Sequence, residues 1–290
     1  MWEQVAVAIT EATGRPFRFL ETSSIGGGCI NDARRLLGED GRTFFAKANA
    51  ADLLSIFEAE AEALAEIAAT NTIRVPEPIC TGSTDDRSYL VLEFIRSGSS
   101  RPYSQRKLGE ALARLHQVEQ PHFGWKRDNA IGATPQPNPT SNNWPDFYRK
   151  QRLQHQFQIA AQRGKTFTGS DKLLDCIPAF FTTYYPIPSL LHGDLWGGNA
   201  DIDEHGKPFV FDPASYYGDR EADLAFTHMF GGFSSEFYIA YENLFPLDPS
   251  FGIRKTLYNL YHELNHFNLF GGSYATSAQA SIEHLLAHAT

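Results

Sequence analysis

Basic residues are the first shortage in this chain: 25 Lys and Arg stand against 34 Asp and Glu, a net charge of −9 over 290 residues. No large basic face is available to neutralise a phosphate backbone, so a nucleic-acid partner is not expected. Cysteine is scarce as well. Cys29, Cys80 and Cys176 are an odd number without metal-ligand spacing, and a reducing cytoplasm is the simplest setting for them. The chain has no uninterrupted apolar run of about 18 residues, the length a membrane-spanning helix needs. Met1-Trp2-Glu3-Gln4 lacks the basic start and apolar stretch of a secretory signal. No internal repeat, low-complexity tract or coiled-coil pattern stands out, and nothing in the sequence chooses between a monomer and a homodimer. What remains is an ordinary globular balance, 42% hydrophobic and 20% charged, with enough chain for two lobes around a cleft.

The densest cluster of chemically useful residues is Leu191-His192-Gly193-Asp194-Leu195-Trp196-Gly197-Gly198-Asn199, followed by Phe211-Asp212-Pro213. An Asp and an Asn five residues apart share one loop, and a second Asp comes thirteen positions later, after the apolar run Pro208-Phe209-Val210-Phe211. Phosphoryl transfer from a nucleotide needs this set: one carboxylate to orient the attacking hydroxyl and accept its proton, and an Asn and an Asp to hold magnesium against the phosphates. The protein-kinase catalytic loop and its downstream metal-binding Asp follow the same spacing logic.

The rest of the chain supplies a frame for that chemistry. Strands are expected at 17–22, 32–37, 43–48 and 89–95, with a hairpin turn at Gly38-Glu39-Asp40-Gly41. A helix is expected over 51–69, with Leu53, Phe57, Ala61, Leu64 and Ala68 on its inward stripe. Ser97-Gly98-Ser99-Ser100 reads as a linker, dividing residues 1–95, a nucleotide-binding lobe, from residues 96–290, a mostly helical lobe carrying the catalytic loop and the acceptor site. Helices are expected at 104–116, 144–163 and 170–184. The Pro-, Asn- and Gln-rich stretch 123–143 is a loop long enough to suggest function.

Within the first lobe, Gly26, Gly27 and Gly28 lie between two strands, where their main chain can approach phosphates closely. Lys47, in Phe44-Phe45-Ala46-Lys47-Ala48, needs an anionic partner to hold its ammonium in place. Of the glutamates on the following helix, Glu60 borders the inward stripe and is the partner expected. Cys29 adjoins the glycines; a small space-filling residue is the favoured reading, with an exposed redox-sensitive thiol as the other.

His262-Glu263-Leu264-Asn265-His266 matches the His-Glu-x-x-His pattern of zinc proteases. No downstream Gly-x-x-His completes the longer form, and the expectation is that both histidines pack the last helices or face the acceptor side.

Taken with Phe57-Glu58-Ala59-Glu60-Ala61, Leu112-Ala113-Arg114-Leu115-His116, Phe123-Gly124-Trp125, Asp128-Asn129-Ala130-Ile131-Gly132 and Asp212 to Ala225, these residues make the chain resemble the fructosamine kinase (ketosamine-3-kinase) family over nearly its whole length. The Leu195-Trp196 pair after His192-Gly193-Asp194 separates it from the related aminoglycoside kinases. The resemblance implies an α+β, bilobal protein-kinase-like fold, with a small antiparallel-sheet lobe bearing one main helix and a larger helical lobe. It implies ATP and Mg2+, and phosphorylation of the 3-hydroxyl of a small-molecule or protein-bound ketoamine, so that an amine is freed. In that scheme Asp194 is the base, Asn199 and Asp212 are the metal ligands, Lys47 with Glu60 is the phosphate anchor, and Glu93, Phe94 and Ile95 are the hinge over adenine. His192 and Trp196 face the acceptor, the indole stacking on a sugar or donating to a hydroxyl. The competing functions are an aminoglycoside- or choline-type kinase and a non-catalytic ATP-binding regulator; a zinc hydrolase is remoter.

Overall fold

The computed structural model describes residues 1–26, 31–99 and 103–289. Gly27, Gly28 and Cys29 lie outside those residues. The described residues fall into two compact units: Met1–Ser104 with Asp201–Asp212, and Gln105–Ala200 with Pro213–Thr290. A single cut after Ile95 does not produce this partition, because a later hairpin returns to the first unit.

The first unit opens with α1 (Trp2–Thr13), a helix not anticipated from the sequence, which buries Val5 and Ile9 and ends on Gly14 in a left-handed conformation. Then come β1 (Phe19–Ser24), β2 (Asp32–Gly38), β3 (Thr43–Ala50), α2 (Leu54–Ala69), β4 (Pro78–Ser83) and β5 (Arg87–Glu93). The strands form one sheet in the order β1-β2-β3-β5-β4, every pairing antiparallel. Gly41, with φ at +81°, sits in the β2–β3 turn, as the glycine pair there requires.

The buried face of α2 is Phe57, Ala59, Ala63, Leu64 and Ile67, rotated from the stripe expected; Ala68 is exposed. Phe57, Leu64 and Ile67 at i, i+7 and i+10 carry Glu60 inward with them. β4 is not foreseen from the sequence, because Pro76 just before it and Pro78 at its first position read as a break. It is an edge strand, where a proline costs no ladder hydrogen bond.

The second unit begins with α3 (Ser104–His116) and a two-stranded hairpin, β6 (Asn129–Ile131) with β7 (Thr134–Gln136), inside the stretch read as loop. The single helix expected at 144–163 is α4 (Trp144–Tyr148), a π-helical turn (Arg149–Gln154) and α5 (His155–Gln162). That at 170–184 is α6 (Ser170–Cys176) followed by a 3-10 turn. The loop 191–199 lies between β8 (Ser189–Leu190) and β9 (Ala200–Ile202). β9 pairs with β10 (Pro208–Val210), and β11 (Tyr217–Gly218) pairs back on β8. The chain ends with α7 (Glu221–Thr227), α8 (Ser235–Leu244), α9 (Phe251–Phe270) and α10 (Tyr274–His288). Among the described residues no helix is long and apolar enough to cross a membrane.

Candidate active site

In the first unit, β3 places Lys47 opposite Ala33 of β2 and Leu90 of β5, in the middle of the sheet. Its side chain is 5% exposed and its Nζ donates to Glu60 Oε1 at 2.6 Å and to Asp212 Oδ1 at 2.7 Å. Burial alone would lower the lysine pKa. The Asp212 and Glu60 carboxylates more than reverse this, and the ammonium is held well above the ordinary lysine range. Burial pushes the Glu60 carboxyl upward; Lys47 opposes the rise and Asp212 adds to it.

One ammonium thus serves two carboxylates, and their excess negative charge has one outlet. Glu60 is 11% exposed, but Asp212 is 43% exposed. Asp212 also has φ at +58°, a conformation that few residues other than glycine adopt and that Asp tolerates better than most. A half-exposed carboxylate beside a charge-saturated lysine suits a hard divalent cation, which bound with nucleotide phosphates needs only one or two protein oxygens.

The hinge candidates are also in this unit. The Glu93 carboxylate is occupied: Arg74 Nη2 donates to it at 2.8 Å and the Glu77 N–H at 3.3 Å, while the Glu93 N–H donates to Glu77 O at 2.8 Å. Arg74 Nη1 also binds Asp203 in the β9–β10 hairpin, and the Val210 N–H donates to Arg74 O. Arg74 therefore ties the end of β5 to the hairpin that leads into Asp212, a role the sequence did not reveal. A side chain on Gly26 would meet open space.

In the second unit, the candidate catalytic loop 191–199 is held through its main chain. The N–H groups of His192 and Gly193 donate to the two oxygens of Asp223 at 2.7 and 2.8 Å, and the Ala214 N–H returns to His192 O at 2.9 Å. Gly193 has φ at +83°, and a Cβ there would stand 2.1 Å from Ala214 O, so no other residue fits. Asp223 is almost fully buried. Burial works to raise its pKa, but the hydrogen bond from His116, together with His192 and the Gly193 N–H, holds it below the usual carboxylate range.

The loop's working end is different. Asn199 Nδ2 donates to Asp194 O at 2.8 Å and to Asp194 Oδ2 at 3.1 Å, so the amide orients the carboxylate and leaves its own oxygen for another partner. Leu195 is fully buried and anchors the turn, whereas Trp196 is 38% exposed and meets the Phe230 ring edge-on at 5.8 Å. Gly198 makes room for that indole, since a Cβ there would lie 2.3 Å from it.

Each unit thus brings together its own share of the expected residues: Lys47, Glu60 and Asp212 in one, Asp194 and Asn199 in the other. His192 departs from its expected place facing the acceptor. It is fully buried, and its Nδ1 accepts the Asp194 N–H at 3.3 Å, so it supports the loop from beneath. The part played by Asp223 does not follow from its motif; its signal is an acidic residue in α7, a helix with every residue buried.

The zinc-protease pattern is packing. His262 stacks on Phe226 at 3.6 Å between centroids, and His266 Nδ1 donates to His262 O at 2.7 Å. Among the described residues no group of three or more His, Cys, Asp or Glu could hold a metal ion.

The family model for fructosamine kinase matches residues 1–288. The chain belongs to the fructosamine kinase family. A probable ketoamine kinase of Synechocystis sp. is 46% identical over 286 residues, covering 98% of this chain and 97% of that protein. A chloroplastic protein-ribulosamine 3-kinase of Oryza sativa subsp. japonica is 40% identical over 279 residues, covering 94% of this chain and 81% of the rice protein. Among solved structures, a Haemophilus somnus protein assigned as a fructosamine-3-kinase aligns with a TM-score of 0.92 at 31% identity, covering 99% of this chain and 98% of that one. The family fold is the α+β, protein-kinase-like one expected, and its members are ATP-dependent phosphotransferases acting on a hydroxyl.

Proposed function

We propose that this chain transfers the γ-phosphoryl group of ATP to the 3-hydroxyl of a ketoamine, the adduct of a sugar with an amine or a protein lysine. What carries the reading is a family match along residues 1–288 in a chain whose Asp194, Asn199, Asp212, Lys47 and Glu60 are all present and engaged in two preformed clusters.

In this reading the first unit binds the nucleotide and the second holds the acceptor and the base. Asp194 accepts the proton of the 3-hydroxyl as its oxygen bonds to phosphorus. The bond from the γ-phosphorus to the bridging oxygen breaks, and ADP leaves. Asn199 keeps the Asp194 carboxylate turned to that task, and Lys47, locked by Glu60, presents a permanent positive charge to the phosphates. Asn199 and Asp212 would hold Mg2+, which when bound neutralises phosphate charge. Gly26, with Gly27 and Gly28, is assigned to the phosphates, and Phe94 and Ile95 to adenine through their main chain. For Glu93 only the C=O remains for such a role, because its N–H and carboxylate have partners.

Trp196 offers an exposed indole to the sugar. His192, being buried, is assigned to loop support. The 3-phosphate ester is unstable, and its breakdown frees the amine. We place the chain in the cytoplasm, as a monomer or homodimer.

The test is ADP release with Mg·ATP on ribulose-, erythrulose- and fructose-lysine, with choline and kanamycin as controls. Turnover on a ketoamine alone is expected. Turnover on a control alone would overturn the reading.

A further inference from the structure

The reaction as described uses Asp212 but not what brings it into place. Asp212 follows the β9–β10 hairpin, whose strands are three residues each, and it stands at a φ of +58°. A hairpin that short does not hold itself, and a non-glycine residue in that conformation persists only where its surroundings over-determine it.

Those surroundings come from two sides. Along β9 runs the segment that leaves the candidate hinge: the Gly98 N–H donates to Ile202 O at 2.8 Å, and the Glu204 N–H donates to Arg96 O at 3.1 Å. Gly98 permits that approach, because a Cβ there would stand 2.4 Å from Asp203 O. Along β10 lies Arg74, which pairs with Phe209 in parallel and whose carbonyl accepts the Val210 N–H at 3.0 Å. Ile73 and Val75 are buried on either side of it, while the Arg74 side chain is 36% exposed.

That side chain closes the arrangement. Asp203 is buried, and its Oδ1 accepts the His205 and Lys207 N–H groups of the hairpin turn at 2.9 and 2.8 Å. Its Oδ2 accepts from Arg74 Nη1, and Arg74 Nη2 donates to Glu93 Oε1 at 2.8 Å, at the end of β5. Without the guanidinium, one oxygen of a buried carboxylate loses its charged partner, and the side-chain link from the turn to the hinge is gone. A lysine is a point charge and does not span two carboxylates as the planar fork does.

We propose that Arg74 is a positioning residue for Asp212. By fixing the hairpin turn to the start of the candidate hinge, it sets where the Asp212 carboxylate stands for the cation and keeps that place in register with the seat of the base. This inference rests on the reading of Asp212 as a metal ligand.

The test applies three readings to Arg74→Met, Arg74→Lys, Asp203→Asn and the Arg74→Met/Asp203→Asn double variant. They are turnover against Mg2+ at saturating ATP and acceptor, fluorescence of bound N-methylanthraniloyl-ATP against Mg2+, and hydrogen exchange at the amides of residues 209–212 without ligands. Arg74→Met is expected to raise the half-saturating Mg2+ about tenfold in both titrations and to lower kcat about tenfold, as for loss of a partner that orients a metal-ligating carboxylate. KM for the acceptor should move by no more than about twofold. Exchange at Val210 and Asp212 should accelerate in parallel. Arg74→Lys, which keeps the charge but reaches one carboxylate, should leave a shift of about threefold. Asp203→Asn should cost about fivefold and add nothing in the Arg74→Met background.

An unmoved Mg2+ titration in Arg74→Met would overturn the proposal, since an arginine that only stabilises the hairpin lowers the melting temperature without touching the cation. Full recovery by Arg74→Lys, or shifts that multiply in full in the double variant, would overturn it too. Should Arg74→Met fail to fold, Asp203→Asn with an unmoved titration and unaltered exchange does the same. Failure of the underlying reading shows elsewhere. Asp212→Asn with the Mg2+ titration of the parent protein would remove Asp212 as a ligand and the proposal with it. The nucleotide and exchange readings need no ketoamine turnover, so they decide the role of Arg74 whichever hydroxyl accepts the phosphate.

Discussion

Lys47 and Asp223 are both buried charges with several partners, yet they are held in opposite ways. Lys47 is an ammonium between two carboxylates that compete for it, one of them 43% exposed. Asp223 is a carboxylate surrounded by main-chain N–H groups and an imidazole, all buried. The first arrangement can exchange: an arriving phosphate or cation can take over a contact at the Asp212 side without leaving a charge unpaired. The second cannot, because an unmet buried donor or carboxylate costs several kcal/mol. In the proposed roles, the cluster that would receive charge is built from ion pairs with one exposed member. The cluster that would stay still is built on main-chain and imidazole donors.

That contrast is most severely tested at the two working residues. Asp194→Asn removes the base while leaving both clusters intact, and kcat should fall about 10³-fold or more with the dissociation constant for ATP unchanged. Initial rates and equilibrium nucleotide binding check it together. Lys47→Met should cost about 100-fold in kcat/KM and on the order of 3 kcal/mol in stability, since Glu60 and Asp212 then share a site with no cation. Because Asp212 is open to solvent, added Mg2+ should raise the melting temperature of Lys47→Met. Asp223→Asn, which also slows turnover, should gain nothing from Mg2+. Equal response of both variants would erase the distinction between the two clusters.

The pH dependence of stability sharpens the comparison from the second unit. Burial, with His266 beside it, lowers the His262 pKa from its usual 6.5 to about 3. The folded state therefore binds fewer protons than the unfolded chain between those values, so stability is complete above about 6.5 and is lost as pH falls. One such group contributes a slope approaching about 1.4 kcal/mol per pH unit. His262→Phe, already stacked in position against Phe226, should flatten denaturant-derived stability over that range. The smallest effect is expected at the exposed rim: Trp196→Ala should raise KM for the acceptor about tenfold and leave KM for ATP alone.

How much of this could be read in advance depended on how local the cause was. α3 begins and ends at the expected residues, since its own periodicity defines it. The Lys47–Glu60 pair was legible from a lysine within a strand and a helical stripe that shares Phe57 and Leu64 with the buried face. Here burial of Ala63 and Ile67 in place of Ala61 and Ala68 was settled by packing against the sheet. The β6–β7 hairpin was not legible, because its strands are three residues long and are held by Asn129, Gln136 and Asn138 reaching the main chain of Ala214 and Ser215 and one another. Nor was the break of 144–163 into α-, π- and α-helical parts, whose interior charge Arg152 spends its hydrogen bonds on Pro137 O and Asn138. In the candidate site, spacing pointed to Asp194, Asn199 and Asp212 but not to the residues that hold them in place. Asp223 lies 30 residues from Gly193, and Arg74 lies 129 from Asp203.

The measurement closest to the central claim is the position of the phosphoryl group on the product formed from Mg·ATP and ribulose-lysine, read by phosphorus-coupled NMR. The account predicts phosphate on the oxygen of carbon 3, followed by release of free lysine, with neither in Asp194→Asn. Phosphate on another oxygen, or ADP formed only with kanamycin or choline, would contradict it.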